Sequence, residues 1–113
     1  MATRETSNGE GGVMEVVLEF TGGLESLTSA TRLHKVSIPS SLEGRPTDVA
    51  GLVRWVAREM MGGDGGEMFV QGEGVRPGIL VLINDADWEL EGGEAYLVQP
   101  GDNILFVSTL HGG

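Results

Sequence analysis

The chain has 113 residues, enough for one domain with one hydrophobic core. Its formal net charge is −10, with 17 acidic residues against seven basic ones, which argues against direct nucleic-acid binding because phosphate contacts depend on Lys and Arg. The absence of cysteine excludes disulfides, thiolate nucleophiles and cysteine-based metal sites, and it fits the reducing cytosol or nucleus. The acidity either favours a partner with a basic surface or simply keeps a small protein soluble.

Residues 1–12 are predicted to form a disordered leader. The segment lacks the apolar stretch of a signal peptide, and its two glutamates against one arginine argue against a mitochondrial presequence. No apolar run in the chain approaches the roughly 20 residues needed to span a bilayer. We therefore expect a folded domain over residues 13–109 and a flexible tail over residues 110–113.

Two β-rich runs open the domain. The first covers residues 13–20 and is followed by a loop at Gly22-Gly23. The second covers residues 32–38 and ends at Pro39. The two runs are predicted to form a β-hairpin. In the second run one face carries Leu33, Lys35 and Ser37, and the other carries His34, Val36 and Ile38.

One amphipathic helix is predicted to follow the hairpin. Thr47 is a suitable N-cap, and Asp48 is favourable in the first turn. Arg54 and Arg58 lie on the solvated face, and Gly62-Gly63 ends the helix. The apolar stripe consists of Val49, Leu52, Val53, Val56 and Met60.

Loops and strands alternate in the second half of the chain. Residues 62–67 are predicted to be a flexible loop, and residues 68–70 a short extended piece. The apolar run Ile79–Ile83 is typical of a strand that is buried on both faces in the middle of a sheet. The remaining predictions are a turn at 84–87, a short strand at 88–90, a turn at 99–102 and the last strand at 103–109.

The order of these elements predicts an α+β domain. A mixed sheet of about five strands carries one main helix across one face, which is the β-grasp (ubiquitin-like) topology. In that topology the last strand lies near the centre of the sheet and runs parallel to the first strand. The tail would therefore leave from a firmly held strand.

The sequence shows no nucleophile–base pair and no metal site. His34 is expected to be a half-buried structural residue, and His111 serves either partner recognition or simple solvation. Asp85 and Asp87 lie in a turn, where acidic residues are usually turn formers, and a Ca²⁺ loop would need further oxygen ligands at regular spacing. We therefore predict that the protein is not an enzyme and holds no metal or cofactor.

The remaining reactive group is the α-carboxylate of Gly113. The sequence ends in Leu110-His111-Gly112-Gly113, directly after the apolar run of the last strand. Because glycine has no Cβ, a Gly-Gly tail fits an active-site channel that is too narrow for other residues. The carboxylate is ionised at neutral pH, so it becomes an acyl donor only after another protein activates it, for example as a mixed anhydride with AMP. The Gly-Gly pair alone is weak evidence, since Gly supplies 19 of the 113 residues.

Two blocks, residues 75–88 and residues 108–113, resemble the eukaryotic ubiquitin-related modifier 1 family. The resemblance runs from about Val13 to the end. Members of this family are β-grasp sulfur carriers. The resemblance implies that an E1-like enzyme with a rhodanese domain uses ATP to adenylate Gly113 and then converts it to a thiocarboxylate. That enzyme would read the tail at Leu110, His111 and Gly112.

The same resemblance implies the fate of the sulfur. A separate tRNA thiolase complex would place it on the wobble uridine of certain cytosolic tRNAs, giving 2-thiolation. Attachment to protein lysines through an isopeptide bond is also implied. Lys35 is the only lysine and is, besides the N-terminus, the possible acceptor for self-conjugation.

We expect a cytoplasmic monomer, with nuclear presence possible, that binds neither a membrane nor nucleic acid directly. No residue follows Gly113, so no proteolytic maturation is expected. The leader and the loop at 62–66 depart from the usual family pattern, which leaves local loop contacts open but does not affect the tail chemistry.

Two alternatives stay open on the sequence. The first is a non-covalent β-grasp adaptor whose sheet binds a partner and whose tail has no role. The second is a sulfur carrier for molybdopterin or thiazole synthesis, which shares the fold and the tail.

Overall fold

The computed structural model describes residues 12–62 and 65–109. The tail residues 110–113, most of the predicted leader, and residues 63–64 lie outside this description, so the leader and tail stay predictions. In the two described ranges no helix is long and apolar enough to cross a membrane.

The first two strands form the predicted hairpin. β1 (Val13–Thr21) pairs antiparallel with β2 (Leu33–Pro39), with Val16 opposite Val36, and a 3₁₀ turn at Leu24–Leu27 lies in the connection. The predicted alternation of β2 is confirmed: Ile38 is buried, whereas Leu33 and Lys35 are exposed. Two short strands, β3 (Ser41–Leu42) and β4 (Arg45–Pro46), pair with each other before the helix.

The main helix, α1 (Val49–Glu59), forms where the apolar stripe predicts it. Val49, Leu52, Val53 and Val56 are fully buried, and Met60 is half-buried at the C-cap. The prediction that Thr47 is the N-cap is wrong. Asp48 is the N-cap, and its Oδ1 accepts a hydrogen bond from the Gly51 N–H at 2.8 Å.

Thr47 has a different role, which explains why it does not cap the helix. Its buried hydroxyl donates to the Pro39 carbonyl at 2.7 Å and so ties the start of α1 to the end of β2. The hydroxyl is therefore committed to a contact between two elements. A prediction from local spacing could not distinguish the two uses, because either Thr or Asp can cap a helix.

The loop predicted over residues 62–67 is partly wrong, because Gly65–Phe69 forms a short helix, α2. The two glycines allow α2 to lie close to α1: a Cβ on Gly66 would lie 3.2 Å from the Ala57 Cβ, and one on Gly65 would lie 3.3 Å from the Met61 Cβ. Phe69, predicted to be extended, is the last residue of α2 and is fully buried. Burial of Phe69 offsets the low helix propensity of glycine.

The short strands β5 (Val70–Gln71) and β6 (Gly74–Val75) form a second small hairpin after α2. The other late strands are β7 (Ile79–Ile83), β8 (Ala86–Asp87) and β9 (Asn103–Ser108). The main sheet has the order β2-β1-β9-β7-β8. β9 lies at its centre, parallel to β1 and antiparallel to β7, which confirms the α+β, β-grasp prediction of a mixed five-stranded sheet with one main helix.

The prediction that β7 is buried on both faces in the middle of the sheet is wrong. Ile79, Val81 and Ile83 are buried, but Leu80 is 51% exposed and Leu82 is half-buried. β7 is the fourth strand in the order, and only one face of the sheet contributes its side chains to the core. Five consecutive apolar residues therefore do not require two covered faces.

The segment after β7 also differs from the prediction. Asn84 and Asp85 alone make the turn, both with positive φ (51° and 74°), and Ala86–Asp87 form β8. The predicted strand at residues 88–90 is instead part of a 3₁₀ turn, Trp88–Glu91, in which the Glu89 N–H donates to the Asp87 carboxylate. A second 3₁₀ turn covers Gly93–Ala95.

Candidate functional site

The predicted reactive group, the carboxylate of Gly113, lies outside the described residues, as do Leu110, His111 and Gly112. The structure does define the point from which the tail departs. That point is Thr109, which follows β9 directly and is exposed.

β9 leads to this exit as the central strand of the sheet. It is hydrogen-bonded to β1 on one side and to β7 on the other. Its inward side chains, Ile104 and Phe106, are fully buried. Displacing the strand would break two backbone ladders and expose both side chains, so the exit is held at a fixed position on the domain.

Two glycines on neighbouring segments confine the chain where it leaves the sheet. The carbonyl oxygen of Gly78 accepts two hydrogen bonds from Thr109, from its N–H at 2.9 Å and from its hydroxyl at 2.6 Å. On the other side Gly22, with φ of 73°, lies so close that a Cβ there would lie 2.8 Å from the Ser108 nitrogen and would clash with its carbonyl oxygen. Only glycine permits this approach.

An aromatic cluster lies beneath the exit. Phe20 stacks on Phe106 with ring centroids 5.4 Å apart, and Phe69 meets Phe106 edge-to-face at 5.0 Å. All three side chains are fully buried, and the chain has no other phenylalanine. The cluster fixes the side chain of Phe106, three residues before the exit, by packing.

A buried carboxylate fixes the other end of β9. Asp102, immediately before the strand, is 6% exposed and accepts hydrogen bonds from the Tyr96 hydroxyl at 2.7 Å, the Gln99 N–H at 2.8 Å and the Asn84 side-chain amide at 3.0 Å. Asn84 in turn accepts a hydrogen bond from the Asn103 N–H at 2.9 Å. The predicted turn at residues 99–102 is confirmed, and this network joins it to the β7–β8 turn.

The pKa of Tyr96 is shifted by its position in this network. Burial, together with the hydrogen bond and the negative charge of Asp102 and the charge of Glu91, raises the pKa of Tyr96 from 10.0 to about 12. Tyr96 therefore stays neutral at physiological pH, and its hydroxyl donates a hydrogen bond to Asp102.

The other sequence candidates have local roles, with His34 on β2 at one edge of the sheet and Asp85 and Asp87 in or beside β8 at the other. His34 is half-buried, with its Nε2 2.8 Å from the Thr31 carbonyl oxygen and its ring edge-on to Phe20. Asp85 lies in the β7–β8 turn, and Asp87 caps the following turn. No group of three or more potential metal ligands occurs within residues 12–62 and 65–109.

The predicted solvated face of α1 carries the two arginines. Arg54 donates to the Glu73 carbonyl at 3.1 Å, and Arg58 forms an exposed ion pair with Glu59 at 3.2 Å. Lys35, the predicted acceptor for self-conjugation, is exposed on β2.

The uncovered face of the sheet is apolar beside the exit. Leu80 on β7 lies opposite Val107 on β9, and Leu82 lies opposite Leu105 in the same register. Leu80 is about half exposed, and the other three side chains are half-buried.

The model of the family described as Urm1 (Ubiquitin related modifier) matches residues 15–113, which includes the exit and the whole tail. The chain belongs to the ubiquitin-related modifier family. This is a family of ubiquitin-like modifiers and sulfur carriers with the β-grasp fold.

Three known proteins illustrate the similarity. The chain is 54% identical over 107 residues to ubiquitin-related modifier 1 of Coccidioides immitis, covering 94% of this chain and 93% of that protein. The solution structure of Urm1 from Trypanosoma brucei is 30% identical with a TM-score of 0.63, covering 89% of this chain and 97% of the other. A chain of the Amycolatopsis orientalis BexX/CysO complex shares the fold at 20% identity and a TM-score of 0.61, covering 87% of this chain and 99% of the other.

Sequence reasoning identified the family but missed how the exit is built. The two glycine contacts join residues that are far apart in the chain, and no local pattern marks them. A weak signal was available for the aromatic cluster, because the only three phenylalanines lie on segments predicted to be extended. The partners of Asp102 had no such signal, since Asp is also an ordinary turn former.

Proposed function

We propose that this protein is a sulfur carrier whose reactive group is the carboxylate of Gly113. Membership of the ubiquitin-related modifier family, over a match that reaches Gly113, is the observation that carries the proposal. The held exit supports it, because a tail that leaves from the central strand at Thr109 has a fixed origin from which to reach a partner's active site.

The chemistry proceeds in steps on the activating enzyme. The carboxylate attacks the α-phosphate of ATP, forming an acyl adenylate and releasing pyrophosphate. The terminal sulfur of an enzyme persulfide then attacks the acyl carbon, and AMP leaves. A second enzyme thiol splits the resulting acyl disulfide, which leaves a thiocarboxylate on Gly113 and a disulfide on the enzyme. ATP is used by the enzyme and is not held by this chain.

The proposed destination of the sulfur is the wobble uridine of cytosolic tRNAs, reached through a separate thiolase complex, and the proposed location is the cytoplasm. With a net charge of −10 the carrier has little affinity for tRNA itself, so a thiolase must bring the two together. The same activated carboxyl can instead acylate a lysine amine, which gives an isopeptide bond and makes the protein a modifier.

The proposed activating partner is an E1-like adenylyltransferase with a rhodanese domain. The apolar open face beside the exit, with Leu80 and Val107 at its edge nearest to Thr109, offers it a docking surface. The CysO-containing neighbour occurs in a complex with BexX, which supports the expectation that this fold docks on a partner.

Deletion of Gly112 and Gly113 tests the proposal against a non-covalent adaptor. In a reconstituted system with the activating enzyme, the thiolase and tRNA, the truncated protein should give no 2-thiouridine, whereas the full chain should give it in an ATP-dependent manner. An amide NMR spectrum of the truncated protein, unchanged within residues 12–62 and 65–109, is the control for folding. Undiminished thiolation by the folded, truncated protein would contradict the proposal.

A further inference from the structure

The outer edge of β2 is the longest unpaired strand edge in the described part of the chain. β2 is the first strand in the sheet order and pairs only with β1, over seven residues, whereas β8 at the opposite edge has only two residues. An open strand edge of this length is a template for pairing with another extended segment.

Hydrogen bonds of β1 show which backbone groups of β2 face outward. Val17 N–H donates to the Asp102 carbonyl, on the β9 side, and Phe20 N–H donates to the Arg32 carbonyl, on the β2 side. Even-numbered β1 residues therefore bond to β2, and the register places them opposite His34, Val36 and Ile38. The N–H and C=O groups of the alternate residues, Leu33, Lys35 and Ser37, consequently face away from the sheet.

The chain closes this edge at both ends and leaves the middle open. At one end the Thr31 carbonyl accepts hydrogen bonds from the Thr28 hydroxyl at 2.9 Å and from the His34 ring at 2.8 Å. At the other end Pro39 has no N–H, and its carbonyl accepts the Thr47 hydroxyl. The open segment is therefore Leu33–Ser37, long enough for a partner strand of about five residues.

Charge indicates the chemistry of the occupant. Residues 26–42 contain Arg32, His34 and Lys35 and no acidic residue, in a chain with 17 acidic residues. Arg32 is paired with Glu19 at 3.5 Å, but among the described residues Lys35 forms no ion pair. Glu15 and Glu19 share its face but lie on β1, one strand further from the edge. Lys35 would therefore be the nearest charge to an added strand.

Lys35 also disfavours a second copy of the chain as the occupant. Two β2 edges that pair antiparallel about the centre of the open segment would place Lys35 opposite Lys35, and like charges directly opposite are destabilising. We propose that the β2 edge binds an extended acidic segment of a partner protein by adding it as a sixth strand. The acidic side chains lie on the Lys35 face, and apolar side chains alternate with them on the face of the half-buried Val36.

This binding is independent of the chemistry at Gly113. Lys35 and the exit at Thr109 lie on strands separated by β1. The test is therefore made with the full chain and repeated after deletion of Gly112 and Gly113, and both proteins should bind alike. Failure of binding would leave the sulfur-carrier proposal untouched.

The probe is a capped synthetic peptide, Ile-Asp-Val-Glu-Val-Asp-Thr, titrated into ¹⁵N-labelled protein. The amides of Leu33, Lys35 and Ser37 should shift and exchange with solvent more slowly, because they gain acceptors from the added strand. The same peptide with lysine at its acidic positions, or with N-methylated amides, should bind more weakly or not at all.

Two charge reversals separate a local effect from a general one. Lys35→Glu should weaken binding by about three- to tenfold, because it replaces an attraction at the edge with a repulsion. Arg58→Glu changes the net charge equally but lies on α1, so it should alter the dissociation constant by less than about twofold, since salt screens distant charges. Ser37→Pro removes an outward N–H, as Pro39 does naturally, and should also weaken binding.

Three results would overturn the proposal. The first is peptide-induced shifts without slower exchange at Leu33, Lys35 and Ser37. The second is equal binding by the wild type and Lys35→Glu. The third is protection of these amides without peptide that grows with protein concentration, which would identify a second copy of the chain as the occupant.

Discussion

The two ends of β9 are fixed by different forces. At its start the buried carboxylate of Asp102 accepts hydrogen bonds from three donors, two in the connection before β9 and one in the β7–β8 turn. At its exit no charged side chain takes part: an aromatic cluster packs beneath Phe106, and Gly22 and Gly78 confine Ser108 and Thr109. The stability of the domain should therefore depend on charge and protonation at the start of β9 and on side-chain volume at its exit.

The largest expected effect is at the exit, from Phe106→Ala. Removing a fully buried ring from the cluster should lower the free energy of unfolding by about 3–5 kcal/mol, through lost burial and the cavity left behind. Chemical denaturation measures this change. The matched control is Leu80→Ala on the neighbouring strand. Because the Leu80 side chain is half-exposed, this variant should lose less than about 1.5 kcal/mol of unfolding free energy. Equal costs for the two variants would mean that packing does not hold the exit.

Gly22→Ala tests the close backbone approach at the exit. Both the positive φ and the clash with Ser108 oppose a Cβ, and we expect a loss of about 2–4 kcal/mol in unfolding free energy. Gly44→Ala is the control, because Gly44 has a similar φ of 79° and open space around its Cβ position. The Gly44→Ala variant should lose only about 1–2 kcal/mol of unfolding free energy. The difference between the two variants isolates the contact with Ser108, and no difference would refute that contact.

At the start of β9, Asp102→Ala should cost about 2–3 kcal/mol, because it leaves several donors without an acceptor. Asp87→Ala is the control: its exposed carboxylate accepts one hydrogen bond, from Glu89, and its loss should cost about 1 kcal/mol or less. Thermal or denaturant unfolding at neutral pH measures both. A cost at Asp102 no larger than at Asp87 would show that the start is not held by this network.

The smallest and most specific effect is the titration of Tyr96, the chain's one tyrosine. Its pKa is raised from 10.0 to about 12, chiefly by burial and then by Asp102. Its contribution to stability is therefore complete below pH 10 and is lost as the pH rises from 10 towards 12. Tyrosinate absorbance follows this titration directly. Asp102→Asn should move the midpoint towards 10.0, and an unmoved midpoint would break the link between the two residues.

The elements that could be predicted from the sequence are those whose signal is local. The apolar stripe of α1 and the alternating exposure of β2 depend on residues close together in the chain, and the structure confirms both. The order of the predicted strands and helix predicts the β-grasp fold that the structure shows. Leu80 was misjudged because its exposure depends on which face of the sheet the helices cover, and that is a property of the whole fold.

The predictions for α2 and for the N-cap of α1 were also wrong because contacts between separate elements of the fold decide them. Gly65 and Gly66 indicate flexibility when taken alone, yet they allow α2 to approach Ala57 and Met61. Thr47 and Asp48 are both good caps, and only the position of the Pro39 carbonyl decides between them. The reactivity of the Gly113 carboxylate is implied by the family resemblance, and it stays a prediction because Gly113 lies outside the described residues.

Intact-mass spectrometry tests the sulfur-carrier proposal most directly. The purified chain is incubated with ATP, the activating enzyme and a sulfur donor, and fragmentation then locates any modification. We expect a mass gain equal to the replacement of one oxygen by sulfur, located at Gly113 and absent when ATP is omitted. An unchanged mass, with an enzyme that demonstrably activates another member of the family, would contradict the account.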